Sequence, residues 1–169
     1  MSKNNQALRA KMLLNSELAL FSRFMDRYFE TCVSNTVLFE NVVETLRELK
    51  GFSKVVLTNK SNRFVPKILS SLRIESYFDE AFGRESFLKS KPDPLPIHSI
   101  LKKYNLSPSQ ALIVGDTEAD ILSGQSANIH TCLVTYGFGR AEEVAKLNPT
   151  FLIANFKELL AIVSPDGGR

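Results

Sequence analysis

The chain has 169 residues, 44% of them hydrophobic and 23% charged, with a formal net charge of +3. This length suits one domain with a real core, and the charge is spread along the chain instead of forming the dense Lys/Arg run of a nucleic-acid arm, so no nucleic-acid partner is expected. No segment approaches the roughly 20 apolar residues that span a bilayer, and the start lacks a small-residue cleavage site, so no membrane association is expected and the chain reads as cytoplasmic.

From residue 6 to about residue 34, Leu8, Met12, Leu18, Phe21, Phe24, Met25, Tyr28 and Phe29 recur at threes and fours, the spacing of a helix face. The spacing predicts a helical lead-in, broken near Asn15 and Ser16, whose Phe/Met stripe is core. Asn41 is expected to cap a helix that runs to Leu49 and stops at Gly51 in the left-handed conformation. "KVVLTN", residues 54–59, is a short apolar β-branched run and predicts a buried strand. Residues 62–72 predict a helix with Phe64, Val65, Ile68, Leu69 and Leu72 on one face and Pro66 near its first turns. "YFDEAFG" is a weaker strand, "SKPDP" a turn, and residues 95–104 a helix. Strands at 111–114, 129–137 and 150–154 then alternate with helices at 117–127, 140–147 and 156–163. Cys32 and Cys132 stand far apart with no CxxC and no clustered histidines, which points to reduced buried thiols and structural His98 and His130.

Strands alternating with helices of this length predict an α/β fold, a Rossmann-like parallel sheet flanked by helices. Open sheets of this kind place ligands at the carboxyl ends of their strands, which draws the reading to three loops. Thr58, Asn59 and Lys60 follow the first strand just before a helix, where a threonine hydroxyl and backbone N–H groups can meet an anion, or can form an ordinary polar turn. Lys91 sits in a rigid proline turn and is either a compact charge for an anion or a solvated loop lysine. In "ALIVGDTEAD", Asp116, Glu118 and Asp120 either cap and complement a helix N-terminus or hold a hard cation such as magnesium through oxygen. A dinucleotide-binding reading lacks any G-x-G-x-x-G.

The joint order is more specific than its parts: strand-Thr-Asn, then Lys-Pro, then strand-Gly-Asp-x-x-x-Asp. In it the chain resembles the haloacid dehalogenase-like hydrolase superfamily, most closely its phosphoglycolate phosphatase-like branch. "VVLTNKS" looks like the second family motif, "SKPDP" like the third and "ALIVGDTEAD" like the fourth, while "TYGFG" at 135–139 is similar to a segment typical of that branch. The resemblance implies a core domain over residues 36–169 and, over residues 1–35, the helical remnant of a mobile cap. It implies that Thr58 and Asn59 bind phosphate, that Lys91 binds phosphate and is catalytic by neutralising charge, and that Asp116 holds Mg2+. Asp120 would support the metal or orient Lys91. The substrate implied is a small phosphorylated metabolite.

The likeness is incomplete. In this family an aspartate attacks phosphorus and a second aspartate two residues later acts as general acid and base, both in an Asp-x-Asp-Gly-Thr motif after the first strand. No Asp-x-Asp occurs in these 169 residues. Phe39-Glu40-Asn41-Val42 also stands where the family often has an aromatic-Pro-Gly-Val turn. The expectation is therefore a phosphatase of this branch, truncated at its N-terminus and inactive as this chain, with weakly bound Mg2+. The alternative is a non-enzymatic module that binds a phospho-ligand or a protein. In the family the absent strand lies between the strands at 54–59 and 111–115, so its loss predicts two exposed apolar sheet edges and a homodimer through them.

Overall fold

Among the described residues, short apolar runs between amphipathic helices become five strands with parallel pairing, and the way these strands group is what positions the site. The structure is a computed structural model that describes residues 3–34 and 36–164, the side chains from residue 17 onward. It divides into two units, Met1–Thr36 and Val37–Arg169.

The first unit is one helix, α1 (Lys3–Thr31), and a closing turn. The helix passes through Asn15 and Ser16 without the expected break: each costs it only about 0.5–0.7 kcal/mol, which the surrounding Leu, Ala, Lys and Arg residues tolerate. Part of its stripe is exposed instead of core, while Leu8 and Met12 lie outside the residues whose side chains are described. Leu18, Phe21 and Phe24 are 58%, 61% and 62% exposed, because a single helix has no second element in its own unit to cover them. Phe24 stacks on Tyr28 with centroids 6.3 Å apart, one helical turn along.

In the second unit α2 (Val42–Glu48) follows Asn41, whose φ of 62° and ψ of 8° are left-handed. Asn41 makes no side-chain cap and instead donates Nδ2 to Asn155 Oδ1 at 3.2 Å. Asparagine tolerates this conformation better than most residues, so it serves here where the resembled turn would carry glycine. Gly51 is not the left-handed stop expected. The helix tightens into a 3-10 turn, Leu49–Gly51, and the Leu49 carbonyl accepts Phe52 N at 3.1 Å and Lys54 Nζ at 2.8 Å, which satisfies a helix-end carbonyl without a positive φ.

β1 (Val55–Leu57) pairs in parallel with β2 (Glu80–Phe82), Val56 opposite Ala81. β3 (Leu112–Gly115), β4 (His130–Val134) and β5 (Phe151–Ile153) form a second parallel sheet, with Val114 opposite Cys132 and Cys132 opposite Phe151. The connecting helices are α3 (Val65–Ser71), α4 (Leu95–Tyr104), α5 (Glu118–Ser126), α6 (Ala141–Ala145) and α7 (Leu159–Val163). α3 starts later than the periodicity implied, with Pro66 in its first turn where a missing N–H costs nothing.

The core lies on both faces of β4. Cys132, Ile153, Leu159 and Leu49 form one cluster, and Ile121, Leu133 and Val144 another. A third, Ile97, Leu101, Ala127 and Ile129, packs α4 against the start of β4. Burial pushes the Cys132 thiol up to about 11, as an inert reduced cysteine requires.

The strands fall into two separate sheets. β1 has β2 as its strand partner, β3 has β4, and β1 and β3 do not pair with each other. Instead both line a cleft of about 910 Å3, walled by Leu46, Ile97 and Leu159 from the helices and by Val55, Leu57 and Ile113 from the strands. No helix among the described residues is long and apolar enough to cross a membrane.

Candidate active site

The carboxyl ends of β1 and β3 carry the polar residues of the site. Thr58 follows β1 directly, its N–H donating to the Phe82 carbonyl at 2.9 Å, so it continues the pairing with β2. Its Oγ1 accepts from Lys60 N at 3.2 Å, which leaves the hydroxyl hydrogen to be given elsewhere. α3 begins only at Val65, so Thr58 and Asn59 lie in a polar turn, not at a helix N-terminus as expected. Asn59 is exposed, and its Nδ2 donates to the Lys91 carbonyl at 2.8 Å, tying the proline turn to the end of β1.

Lys91 crosses the mouth of the cleft. Its Nζ donates to the Leu57 carbonyl at 2.6 Å and to Asp120 Oδ1 at 2.5 Å. Both side chains of the ion pair are 9% exposed. An ammonium so far removed from water needs such partners, and it retains one more donor than these two bonds use.

Asp120 is fully engaged. Oδ1 takes Lys91, and Oδ2 accepts Thr117 N at 3.1 Å and Thr117 Oγ1 at 2.5 Å, the reciprocal capping box that starts α5. This packing explains Gly115: a Cβ there would overlap the Asp120 carboxylate. Of the two roles open to Asp120 in the sequence, the contacts made are those of a group that orients Lys91. Glu118 is exposed in the first turn of α5, where a negative charge meets the positive end of the helix.

Asp116 is held differently. Its Oδ2 accepts from Phe138 N at 2.8 Å and Gly139 N at 3.2 Å, while Oδ1 takes no hydrogen bond from the described residues. The turn after β4 thus belongs to the site, although in the sequence "TYGFG" carries no chemistry of its own. The detectable signal was two glycines spaced around an aromatic residue at the end of a strand that neighbours β3. Exposed Phe138 and Phe39, with half-buried Tyr136, form a rim of rings beside it, Phe39 to Tyr136 at 4.9 Å between centroids.

Among the described residues no group of three or more His, Cys, Asp or Glu is placed to hold a metal ion. Of the two aspartates, Asp120 is engaged at both oxygens and Asp116 leaves Oδ1 without a hydrogen bond from the described residues. That fits a hard cation which keeps most of its waters and takes one or two carboxylates plus a substrate phosphate, and it does not fit a closed protein cage.

The parallel strands of this α/β fold thus gather a threonine, a lysine whose side chain is 9% exposed and two aspartates at their carboxyl ends, where α/β sheets place their ligands. The comparisons make this specific. The description of the haloacid dehalogenase-like hydrolases matches residues 3–134, and the chain belongs to that family, in its phosphoglycolate phosphatase-like branch. It is 39% identical over 139 residues to a phosphoglycolate phosphatase of Psychrobacter arcticus, covering 81% of this chain and 60% of that one. With a phosphoglycolate phosphatase of Vibrio vulnificus strain CMCP6 the identity is 34% over 163 residues, covering 94% of this chain and 72% of that one. Among solved structures, a predicted phosphoglycolate phosphatase from Haemophilus somnus superposes with a TM-score of 0.82 at 33% identity, over 88% of this chain and 68% of that one. YfnB of Bacillus subtilis, a HAD-hydrolase solved bound to magnesium, matches with a TM-score of 0.66 at 25% identity, over 75% of this chain and 55% of that one.

Proposed function

We propose that the described residues form the phosphate-binding and charge-neutralising part of a phosphoglycolate phosphatase-type site, acting on a small phosphorylated metabolite with Mg2+. The observation that carries this is the chain of bonds from Leu57 through Lys91 to Asp120 and Thr117, which holds one cation at the rim between Thr58 and Asp116. In this reading Thr58 donates its hydroxyl hydrogen to a phosphate oxygen and Asn59 orients the substrate and the Lys91 turn. Lys91 gives its remaining N–H to the phosphate and offsets its charge, and Asp120 keeps that ammonium aimed. Asp116 would hold Mg2+ through Oδ1, and Asp120 would support the site through Lys91 and Thr117. A bound Mg2+ supplies further neutralisation of phosphoryl oxygens. A cytoplasmic location accords with such a substrate and with free Cys32 and Cys132.

None of these residues attacks phosphorus. Electrostatic groups accelerate transfer only when a nucleophile is placed in line, and these 169 residues hold no Asp-x-Asp. The purified 169-residue chain with Mg2+ is therefore expected to release no phosphate from 2-phosphoglycolate or p-nitrophenyl phosphate, and to bind Mg2+ weakly in calorimetry. Steady turnover that disappears in Asp116→Ala, or submicromolar Mg2+ affinity, contradicts this reading.

A second reading, a protein-binding or phospho-ligand-binding module without catalysis, is favoured by the cleft between β1 and β3. Free strand edges take up strands from other chains, so a homodimer through these edges is the expected assembly. Light scattering that gives a strict monomer with a sharp, high melting transition opposes it.

A further inference from the structure

The turn after β4 does more than neighbour the site. We propose that Gly137, Phe138 and Gly139 are positioning residues that fix Asp116 as a one-oxygen ligand, making the site selective for small octahedral divalent cations over Ca2+. This deepens the reading of Asp116 as a metal ligand and rests on it.

The register places the turn there: Gly115 at the end of β3 lies opposite Leu133 of β4, so the residues beyond both strands share one rim. Phe138 and Gly139 then offer successive backbone N–H groups to the same oxygen, Asp116 Oδ2, at 2.8 and 3.2 Å. Hydrogen bonds to an ionised acceptor are stronger than neutral ones, so this oxygen is held firmly in place. The approach requires glycine for reasons of volume, since no glycine among the described residues has a positive φ. A Cβ on Gly137 would overlap Asp116 Cβ and Oδ2, and one on Gly139 would overlap the Asp116 carbonyl. Phe138 is 95% exposed, so its backbone N–H serves Asp116 while its ring stays outside the core. Tyr136 anchors the turn by its edge-on contact with Phe39.

With Oδ2 engaged, Asp116 meets a cation through Oδ1 alone. Mg2+ and Mn2+ take one oxygen from each carboxylate in octahedral geometry, whereas Ca2+ gains from higher coordination and bidentate carboxylates. The turn therefore sets both orientation and ion preference.

The test is a Mn2+ titration of the 169-residue chain followed by the electron paramagnetic resonance of free Mn2+, with Ca2+ as competitor. Gly137→Ala and Gly139→Ala are each expected to weaken Mn2+ by about 10- to 100-fold, the usual cost of losing the support of a ligand, and to erode the preference over Ca2+. Gly124→Ala is the control for lost stability: its Cβ would overlap Ile113 and Thr131, away from Asp116, so it is expected to lower the melting temperature and leave Mn2+ affinity unchanged. Equal Mn2+ binding by wild type and both turn variants, with loss in Asp116→Ala, overturns this inference alone. Unchanged binding in Asp116→Ala overturns the metal reading and the inference with it. Loss in Gly124→Ala as large as in the turn variants also overturns the inference. If the turn variants do not fold, the amide resonances of Phe138 and Gly139 in wild type must move in Asp116→Ala and broaden early with Mn2+; if they do neither, the inference fails.

Discussion

The rim and the cleft below it follow opposite rules. At the rim each buried charge has a partner within reach, Lys91 on Asp120 and Asp120 on Thr117, while in the cleft two parallel strands turn free edges toward about 910 Å3 of mostly apolar space. The difference teaches that the contacts of the rim do not depend on a continuous sheet. The rim contacts are either local, as between Thr117 and Asp120 or Thr58 and Lys60, or single bridges such as Asn59 to the Lys91 carbonyl. The cleft could be closed only by another strand or by moving whole helices.

Breaking the rim has the largest expected effect. Asp120→Ala leaves the Lys91 ammonium buried with the Leu57 carbonyl as its remaining partner, and removal of one member of a buried pair costs about 3–5 kcal/mol. Denaturant unfolding is expected to show that loss, and the double variant Lys91→Met with Asp120→Leu is expected to be more stable than Asp120→Ala. A loss near zero means the rim is not bonded as described.

The helical wall of the cleft tests the other side of the comparison. Val42 and Leu46 of α2 line it, and α2 starts from the left-handed Asn41. Asn41→Ala keeps the Cβ in the left-handed conformation but removes the polar side chain that eases it, and is expected to cost about 1–2 kcal/mol, with Asn41→Gly costing less. Thr45, fully buried on the same helix, has an Oγ1 with no hydrogen-bond partner among the described residues. Thr45→Val is expected to raise stability by about 1 kcal/mol, since an unsatisfied buried hydroxyl is replaced by a methyl group. A destabilised Thr45→Val would show that the hydroxyl has a partner.

The smallest effect near neutrality is in the alkaline limb. Burial pushes the Cys132 thiol up to about 11 and the Tyr136 phenol up to about 12. Both groups are neutral when protonated, so the unfolded chain ionises first. Their contribution is complete below pH 9, falls as pH rises from 9.0 through 11 for Cys132, and falls from 10.0 through 12 for Tyr136. Melting temperature against pH is expected to be flat from these groups near pH 7 and to drop above 9, with Cys132→Val delaying the drop.

Much of the rim was legible because its signals are local. The apolar run ending at Gly115-Asp116 announces a strand and its loop, and the acids Glu118 and Asp120 at the head of the next segment announce a helix N-terminus. The role of Gly137 and Gly139 was not legible, since the atoms that would collide with a Cβ belong to Asp116, more than one strand away in the chain. Nor was the exposure of Phe21 and Phe24, because a periodic stripe specifies a face without saying whether anything covers it. The gap between β1 and β3 lies outside local pattern altogether and was expected only from the family resemblance.

The central claim is that the rim binds phosphate although the sheet beneath it is open. Titration of the 15N-labelled chain with inorganic phosphate, followed by two-dimensional NMR, tests it most directly. The account predicts saturable shifts at Thr58, Asn59, Lys91 and Thr117 that vanish in Lys91→Met, while the β4 and β5 amides stay still. Unchanged Thr58 and Lys91 resonances at saturating phosphate, or shifts that persist in Lys91→Met, would contradict it.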